Sequence, residues 1–298
     1  MKKCMLFIAV CFSIIATAQH DIVYNLEKGG VYPQNQTVVS EQNQIINGVP
    51  QEVTTTVSTE SDYTVKDIKE GIYYIDIMVK KMSNTTKTAM GREIIASDGP
   101  VSNPMNKLFN NMIKDPIKIT MNNKGKLLSF DNSAQLKNMT EGVDLPEMQL
   151  AQLEGTMKKQ MSAEKLISNY SQLTQILPKT EVSVGATWNK KITINSIGQF
   201  ESTTTFTLES VTDEFYTIST TATIITSENE EANLMGMKAT YNLAGPLKGT
   251  YIIHKKTGWL STADLEQQLD GNITFEKSEM MPQEMKISMT SKTITTIK

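Results

Sequence analysis

Threonine crowds four stretches of this chain: Thr54 to Thr56, Thr203 to Thr207, Thr217 to Thr223 and Thr290 to Thr296. A side chain branched at Cβ is stiff at its first torsion and suits a pleated surface, so each cluster argues for a strand. The stretch from Ile72 to Lys80 adds strict alternation. Ile75, Ile77 and Val79 fall on one face and Tyr74, Asp76 and Lys80 on the other, the pattern of a half-buried strand. Asn122-Asn123-Lys124-Gly125 and Lys255-Lys256-Thr257-Gly258 place turn formers and a glycine between apolar runs, which predicts short hairpin loops and therefore antiparallel pairing.

The middle of the chain has a different period. Met105, Leu108, Phe109 and Met112 recur at three-and-four spacing within 104–113. From Glu147 to Leu177 there is no proline and only Gly155 as a breaker, and Pro178 ends the run. Leu150, Leu153, Met157 and Met161 form one stripe, and Leu166, Tyr170, Leu173 and Leu177 form another, with the phase slipping near Ser162. A bend or break is expected there. The fold class that follows is mainly β (α+β), a large curved antiparallel sheet with central helices packed on one face.

The amino terminus reads as an export signal. Lys2 and Lys3 precede an apolar stretch from Met5 to Ile15, and Ala16-Thr17-Ala18 offers small residues where a signal peptidase cuts. The apolar run is shorter than the roughly 20 residues that span a bilayer, so no transmembrane segment is expected in the mature chain. Both cysteines, Cys4 and Cys11, lie in this segment, so the exported chain has nothing to oxidise. Removing Lys2 and Lys3 from the 29 basic residues leaves 27 against 32 acidic ones, a net charge of −5. Arg92 is the single arginine, and phosphate or nucleic-acid sites lean on planar guanidinium forks; nucleic acid is a poor partner for this chain.

Anchors repeat in the same order on either side of the helical region. Gly29 and Tyr32 match Gly185 and Trp188, and Ile68, Tyr73 and Ile75 match Val211, Tyr216 and Ile218. Pro116-Ile117-Lys118 with Gly125, Leu127 and Asp131 matches Pro246-Leu247-Lys248 with Gly258, Leu260 and Asp264. The sheet is therefore expected to come from two related halves. The divisions are 1–18 as signal peptide, 19–132 as a first β-rich half with its short helix near 104–113, 133–177 as a helical segment, and 178–298 as a second β-rich half.

These residues carry a resemblance. Tyr24-Asn25-Leu26, the following glycines and Tyr32, and Ile119-Thr120-Met121-Asn122-Asn123-Lys124-Gly125 look like an uncharacterised family of exported proteins of Gram-negative bacteria with no assigned activity. The expected architecture is also similar to periplasmic lipoprotein-carrier folds. The likeness carries over no functional residue, and a fold does not by itself imply a function.

Catalytic constellations are poorly represented. His20 and His254 are the only histidines, and no Gly-x-Ser-x-Gly elbow nominates a nucleophile. Ser162-Ala163-Glu164-Lys165 has the Ser-x-x-Lys spacing of penicillin-recognising enzymes without its companion motifs. Zinc needs several Cys or His ligands, and Met280, Met281, Met285 and Met289, the nearest approach to a Cu(I) set, also read as core at two- or four-residue spacing. No cofactor or metal is expected.

Methionine is flexible and polarizable, so an apolar helical surface of Met105, Met112, Leu150, Leu153, Met157, Met161, Leu166, Tyr170 and Leu173 could adapt to a lipid tail. The expectation is a non-catalytic exported binding protein, in the periplasm, at the outer-membrane surface or outside the cell. It would hold a lipid, a lipid-modified partner or another apolar ligand between sheet and helices. The alternative is a structural or protein-interaction component of the cell envelope.

Overall fold

The computed structural model describes residues 18–46, 48–195, 199–226, 231–234, 237–277 and 282–298. Residues 1–17, which carry most of the signal-peptide reading, and Met280 and Met281 lie outside them. The first strands are β1 (Val31–Ile46), β2 (Val49–Lys69), β3 (Ile72–Thr88) and β4 (Gly91–Ala96). Helix α1 (Pro104–Met112) leads to β5 (Ile117–Asn122) and β6 (Leu127–Asp131). Helices α2 (Ser133–Asn138), α3 (Glu147–Gln160) and α4 (Ala163–Thr174) follow. The remainder is β7 (Thr187–Asn195), β8 (Gln199–Val211), β9 (Phe215–Thr226), β10 (Glu231–Leu234), β11 (Met237–His254), β12 (Leu260–Phe275) and β13 (Met285–Ile297).

All pair antiparallel in one sheet, along the path β6-β5-β3-β2-β1-β13-β12-β11-β9-β8-β7, with β4 added on β3 and β10 on β11. The two ends of the chain meet in the middle, where Gln36 lies opposite Ile297 and Ile45 opposite Ser288. On β3 the alternation holds, since Ile75, Ile77 and Val79 are buried while Tyr74 and Lys80 are exposed.

Either side of β13 the path runs in the same sense, β6-β5-β3-β2-β1 and β12-β11-β9-β8-β7. Tyr63 lies opposite Ile77 and Phe206 opposite Thr220, and bulges follow at Val65/Asp67 and Leu208/Ser210. Beyond them Ile68 faces Tyr73 and Val211 faces Tyr216. The N–H of Gly29 donates to Val65 O at 2.8 Å and that of Gly185 to Leu208 O at 2.7 Å. One sequence match shifts. Ile119 and Tyr251 face Ile75 and Ile218, so Lys118 corresponds to Thr250 and not to Lys248. A slip of two residues keeps the same faces inward, which makes it invisible to a pattern of alternation.

The sheet curls on itself. Ile75 and Ile119 on one side share a buried cluster with Phe206, Ile218 and Tyr251 on the other, although several strands separate them along the path. Ile22, Tyr24 and Leu26 fill one end of this core. That segment also crosses both hairpin turns: Tyr24 N–H donates to Asn123 O and Asn25 N–H to Thr257 O, each at 2.8 Å.

The helices divide between two cores. Helix α1 starts at Asn103, whose side chain accepts from the N–H groups of Met105 and Asn106, with Pro104 in the first turn. The long helical run breaks at Met161 and Ser162, where its apolar phase slips. Helix α4 packs between the two edge strands β6 and β7, with Leu166, Ile167, Tyr170 and Leu173 against the main core. Helix α3 does not. Leu150, Leu153, Met157 and Met161 face a satellite cluster of Leu108, Met112, Met139 and Val143, to which, among the described residues, only Met82 comes from a strand. That corrects the expectation that both stripes lie on the sheet. The cause is polar: buried Asn111 donates to Met139 O and Glu141 O, and buried Gln135 to Met112 O and Asp115 O. These bonds tie α1 and α2 into a platform that offers α3 an apolar surface of its own.

Gly125 and Gly29 both have positive φ, +80° and +81°. A Cβ on Gly125 would stand 1.8 Å from the carbonyl oxygen of Thr174 at the end of α4, whereas one on Gly29 meets nothing within 4 Å. Gly29→Ala should therefore cost about 1 kcal/mol, from backbone strain alone. Gly125→Ala should cost at least about 3 kcal/mol, because strain and a backbone collision add. Denaturant unfolding of the two variants checks this, and equal losses would mean that α4 does not close over the β5–β6 turn.

Candidate functional site

The inner faces of the strands follow from their two-residue period. On β13 the inward positions read Met285, Ile287, Met289, then Ser291, Thr293, Thr295, then Ile297. On β8 they read Phe200, then Ser202 and Thr204, then Phe206 and Leu208. Both strands are apolar at the ends and carry small hydroxyl side chains between. Strand β1 contributes Gln36, Val38, Ser40 and Gln42, and the cross-strand register sets Val38 beside Thr295, Ser40 beside Thr293 and Gln42 beside Ser291. Two separate apolar clusters result, with a belt of hydroxyls and amides between them.

A cavity of about 440 Å³ lies in this region, beneath α4. That volume falls within the range of small-molecule sites. Its apolar wall is Ile194, Phe200, Ile224, Leu243, Leu265, Leu269 and Met289, together with Val38. Gln36, Ser40, Gln42, Gln267, Ser291, Thr293 and Thr295 form its polar wall, and α4 adds Asn169, Gln172 and Leu173. The Thr293 hydroxyl donates to Ser40 Oγ at 3.3 Å. In the adjoining apolar cluster Tyr241 is 5% exposed, and its hydroxyl has no hydrogen-bond partner among the described residues. Burial pushes the Tyr241 phenol up to about 12.

Helix α4 is held over the cavity at its C-terminal end. Trp188 Nε1 donates to Ile176 O at 2.9 Å, and the hydroxyls of Tyr251 and Tyr24 reach Gln172 O and Thr174 O at 3.5 Å. The last carbonyls of a helix have no partner within it, so aromatic donors from the sheet satisfy them where water is excluded. Phe130 and Tyr170 pack ring to ring on the other flank, with centroids 5.4 Å apart.

A second groove, of about 360 Å³, runs between α4 and β7 and is lined by Glu164, Ser168, Ser171, Gln175 and Lys190 among others. Lys190 occupies an inward position between Trp188 and Ile192, and among the described residues no carboxylate pairs with it. Burial, then the nearby charges of Lys179 and Lys124, push its ammonium down to about 8.

Of the nine side chains expected to bind a ligand, Leu173 alone lines the cavity. Leu166 and Tyr170 pack beside it in the main core, while Met112, Leu150, Leu153, Met157 and Met161 belong to the satellite cluster and Met105 sits half-buried on α1. Asn169 and Gln172 of α4 line the cavity as well, and the remaining cavity side chains come from the strands. On β13 the signal was the apolar, hydroxyl, apolar order visible at every second position. His254 is exposed against Phe215, and His20 lies edge-on to Tyr216. Met289 is buried in the apolar cluster with Met285 packed against it.

Fold and cavity together define a β-protein whose single antiparallel sheet curls around a chamber beneath a helix, lined by uncharged side chains among the described residues. Residues 70–260 match the model of a family of unknown function (DUF6263), and the chain belongs to that family. None of the curated proteins matches it. Among solved structures it is similar to an outer membrane channel from Pseudomonas putida F1, at 7% identity and a TM-score of 0.24, with 92% of this chain and 97% of that chain covered. No helix among the described residues is long and apolar enough to cross a membrane.

Lys190 generates a pH prediction. Its pKa falls from 10.5 in the unfolded chain to about 8 in the fold. Between those values the unfolded chain holds a proton that the folded chain has released, so stability rises with pH across the window and levels off above it. Lys190→Met should melt higher than the parent at pH 7, and the gap should narrow between about pH 8 and 10.5. Thermal melts of both proteins across that range check it; a gap independent of pH would refute the assignment.

Proposed function

We propose that this chain is an exported, non-catalytic binding protein that holds an apolar or amphiphilic ligand in the chamber between α4 and the curled sheet. The observation that carries the reading is the cavity of about 440 Å³, partly open to solvent, with Phe200, Ile224, Leu243, Leu269 and Met289 among its apolar lining. A concave site of this size, apolar along much of its lining with a few polar groups, is the usual form of a small-molecule site. Export rests on the order of Lys2 and Lys3, the apolar stretch to Ile15 and Ala16-Thr17-Ala18, and on the confinement of both cysteines to that segment. The same reading admits a lipid-modified partner as the ligand.

The same proposal includes an origin by duplication. The matched path on either side of β13, the bulges at Val65/Asp67 and Leu208/Ser210, and the paired Gly29 and Gly185 bonds support it. Superposing the five equivalent strand pairs tests it, and a fit no better than that of unrelated antiparallel meanders would overturn it.

Binding is tested on protein purified from its own envelope. Native mass spectrometry should show an adduct that organic extraction releases. Ile224→Trp, which fills the chamber from β9, should lower occupancy at least tenfold at an overpacking cost of about 1–3 kcal/mol. An adduct-free parent, or a filled variant that binds as well as the parent, would sink the reading and favour a solid core whose faces dock an envelope protein.

A further inference from the structure

Charge is segregated across this sheet with unusual strictness. Acidic and basic residues make up 20% of the chain, yet among the described residues none of the side chains lining the chamber is charged. The neighbouring outward positions carry charge freely. Glu41 and Lys292 alternate with Ser40 and Thr293, and Glu266, between Leu265 and Gln267, pairs with Lys248 and Lys292 on the outer face. Lys190, the charged residue at an inward position of β7, lines the separate groove beside α4. The chamber is nevertheless polar along one wall, through the amides of Gln42, Gln267 and Gln172 and the hydroxyls of Ser40, Ser291 and Thr293.

An ion meets no counter-charge among the described lining residues and would lose part of its hydration on entry. A plain hydrocarbon has the opposite defect, because it would leave the wall's donors and acceptors without their water and without replacement. A molecule that is apolar at one end and carries uncharged hydroxyl, ester or amide groups at the other meets both walls. We infer that the ligand class is the neutral amphiphile, such as a monoacylglycerol or a fatty amide, and that free fatty acids and cationic lipids are excluded. This deepens the reading above and rests on it.

The test uses the exported form of the protein stripped of lipid and titrated calorimetrically with four ligands of one chain length. These are 1-monomyristoylglycerol, myristamide, myristate and myristyltrimethylammonium. The two neutral compounds should bind at least tenfold more tightly than either ion at pH 8. Myristate affinity should climb as the pH is lowered and its carboxyl takes up a proton, while that of monomyristoylglycerol stays level. Myristate binding at pH 8 as tight as the neutral compounds would overturn the ligand class and leave the binding reading standing. If none of the four binds, the binding reading itself falls, and this inference falls with it. A double variant, Gln267→Leu with Thr293→Val, should bring tetradecane to within threefold of myristamide; an unchanged preference for the amide would place the polar recognition elsewhere.

Discussion

The architecture depends on the seating of one short helix between two sheet edges. An open sheet ends in rows of unpaired N–H and C=O groups, which invite other chains unless something covers them. Here β6 and β7, the two ends of the path, curl toward each other until α4 fits between them. In its last turn the carbonyls of Gln172 and Thr174 accept from Tyr251 and Tyr24, and that of Ile176 just beyond accepts from Trp188, three aromatic side chains packed in the same core. One contact thus shields the edges and satisfies the buried helix terminus. It also roofs the chamber.

Curvature of this degree needs places where strands can approach closely. Gly245, Gly249 and Gly271 supply them on β11 and β12, since a Cβ at any of the three would stand 2.4 Å or less from a backbone oxygen of the neighbouring strand. Gly271 also has φ +152°. Glycines inside a strand weaken it, and their presence at a tight bend is the usual compensation. The bulges at Val65/Asp67 and Leu208/Ser210 add twist near the closed end, where Ile22, Tyr24 and Leu26 fill the core. At the other end no such plug is seen among the described residues, and the cavity lies there.

Much of this was legible from side-chain period. Alternation at Ile75, Ile77 and Val79 marked a strand, the glycines at 125 and 258 marked hairpins, and the phase slip near Ser162 marked the boundary between two helices. The lining of the chamber was harder. Met157 and Leu173 look alike in a helical stripe, yet one joins a satellite core and the other faces the cavity. A stripe states that a surface will be covered without stating by what. Likewise Lys118 and Lys248 looked equivalent because a two-residue slip conserves every inward side chain.

By itself, then, the order of residues determined local geometry: which stretches extend, where they turn, which faces seek burial and which side chains stay uncharged. Those properties arise from torsional stiffness, period and solvation, and each is felt within a few neighbours along the chain. Only the tertiary structure decided that β1 and β13 would join the two ends, that α3 and α4 would serve different cores, and that a belt of threonine, serine and glutamine would face a void. Those outcomes depend on closing the sheet across more than 250 residues of sequence, as in the pairing of Gln36 with Ile297. Closure is a competition among distant surfaces, and no local pattern records which of them wins.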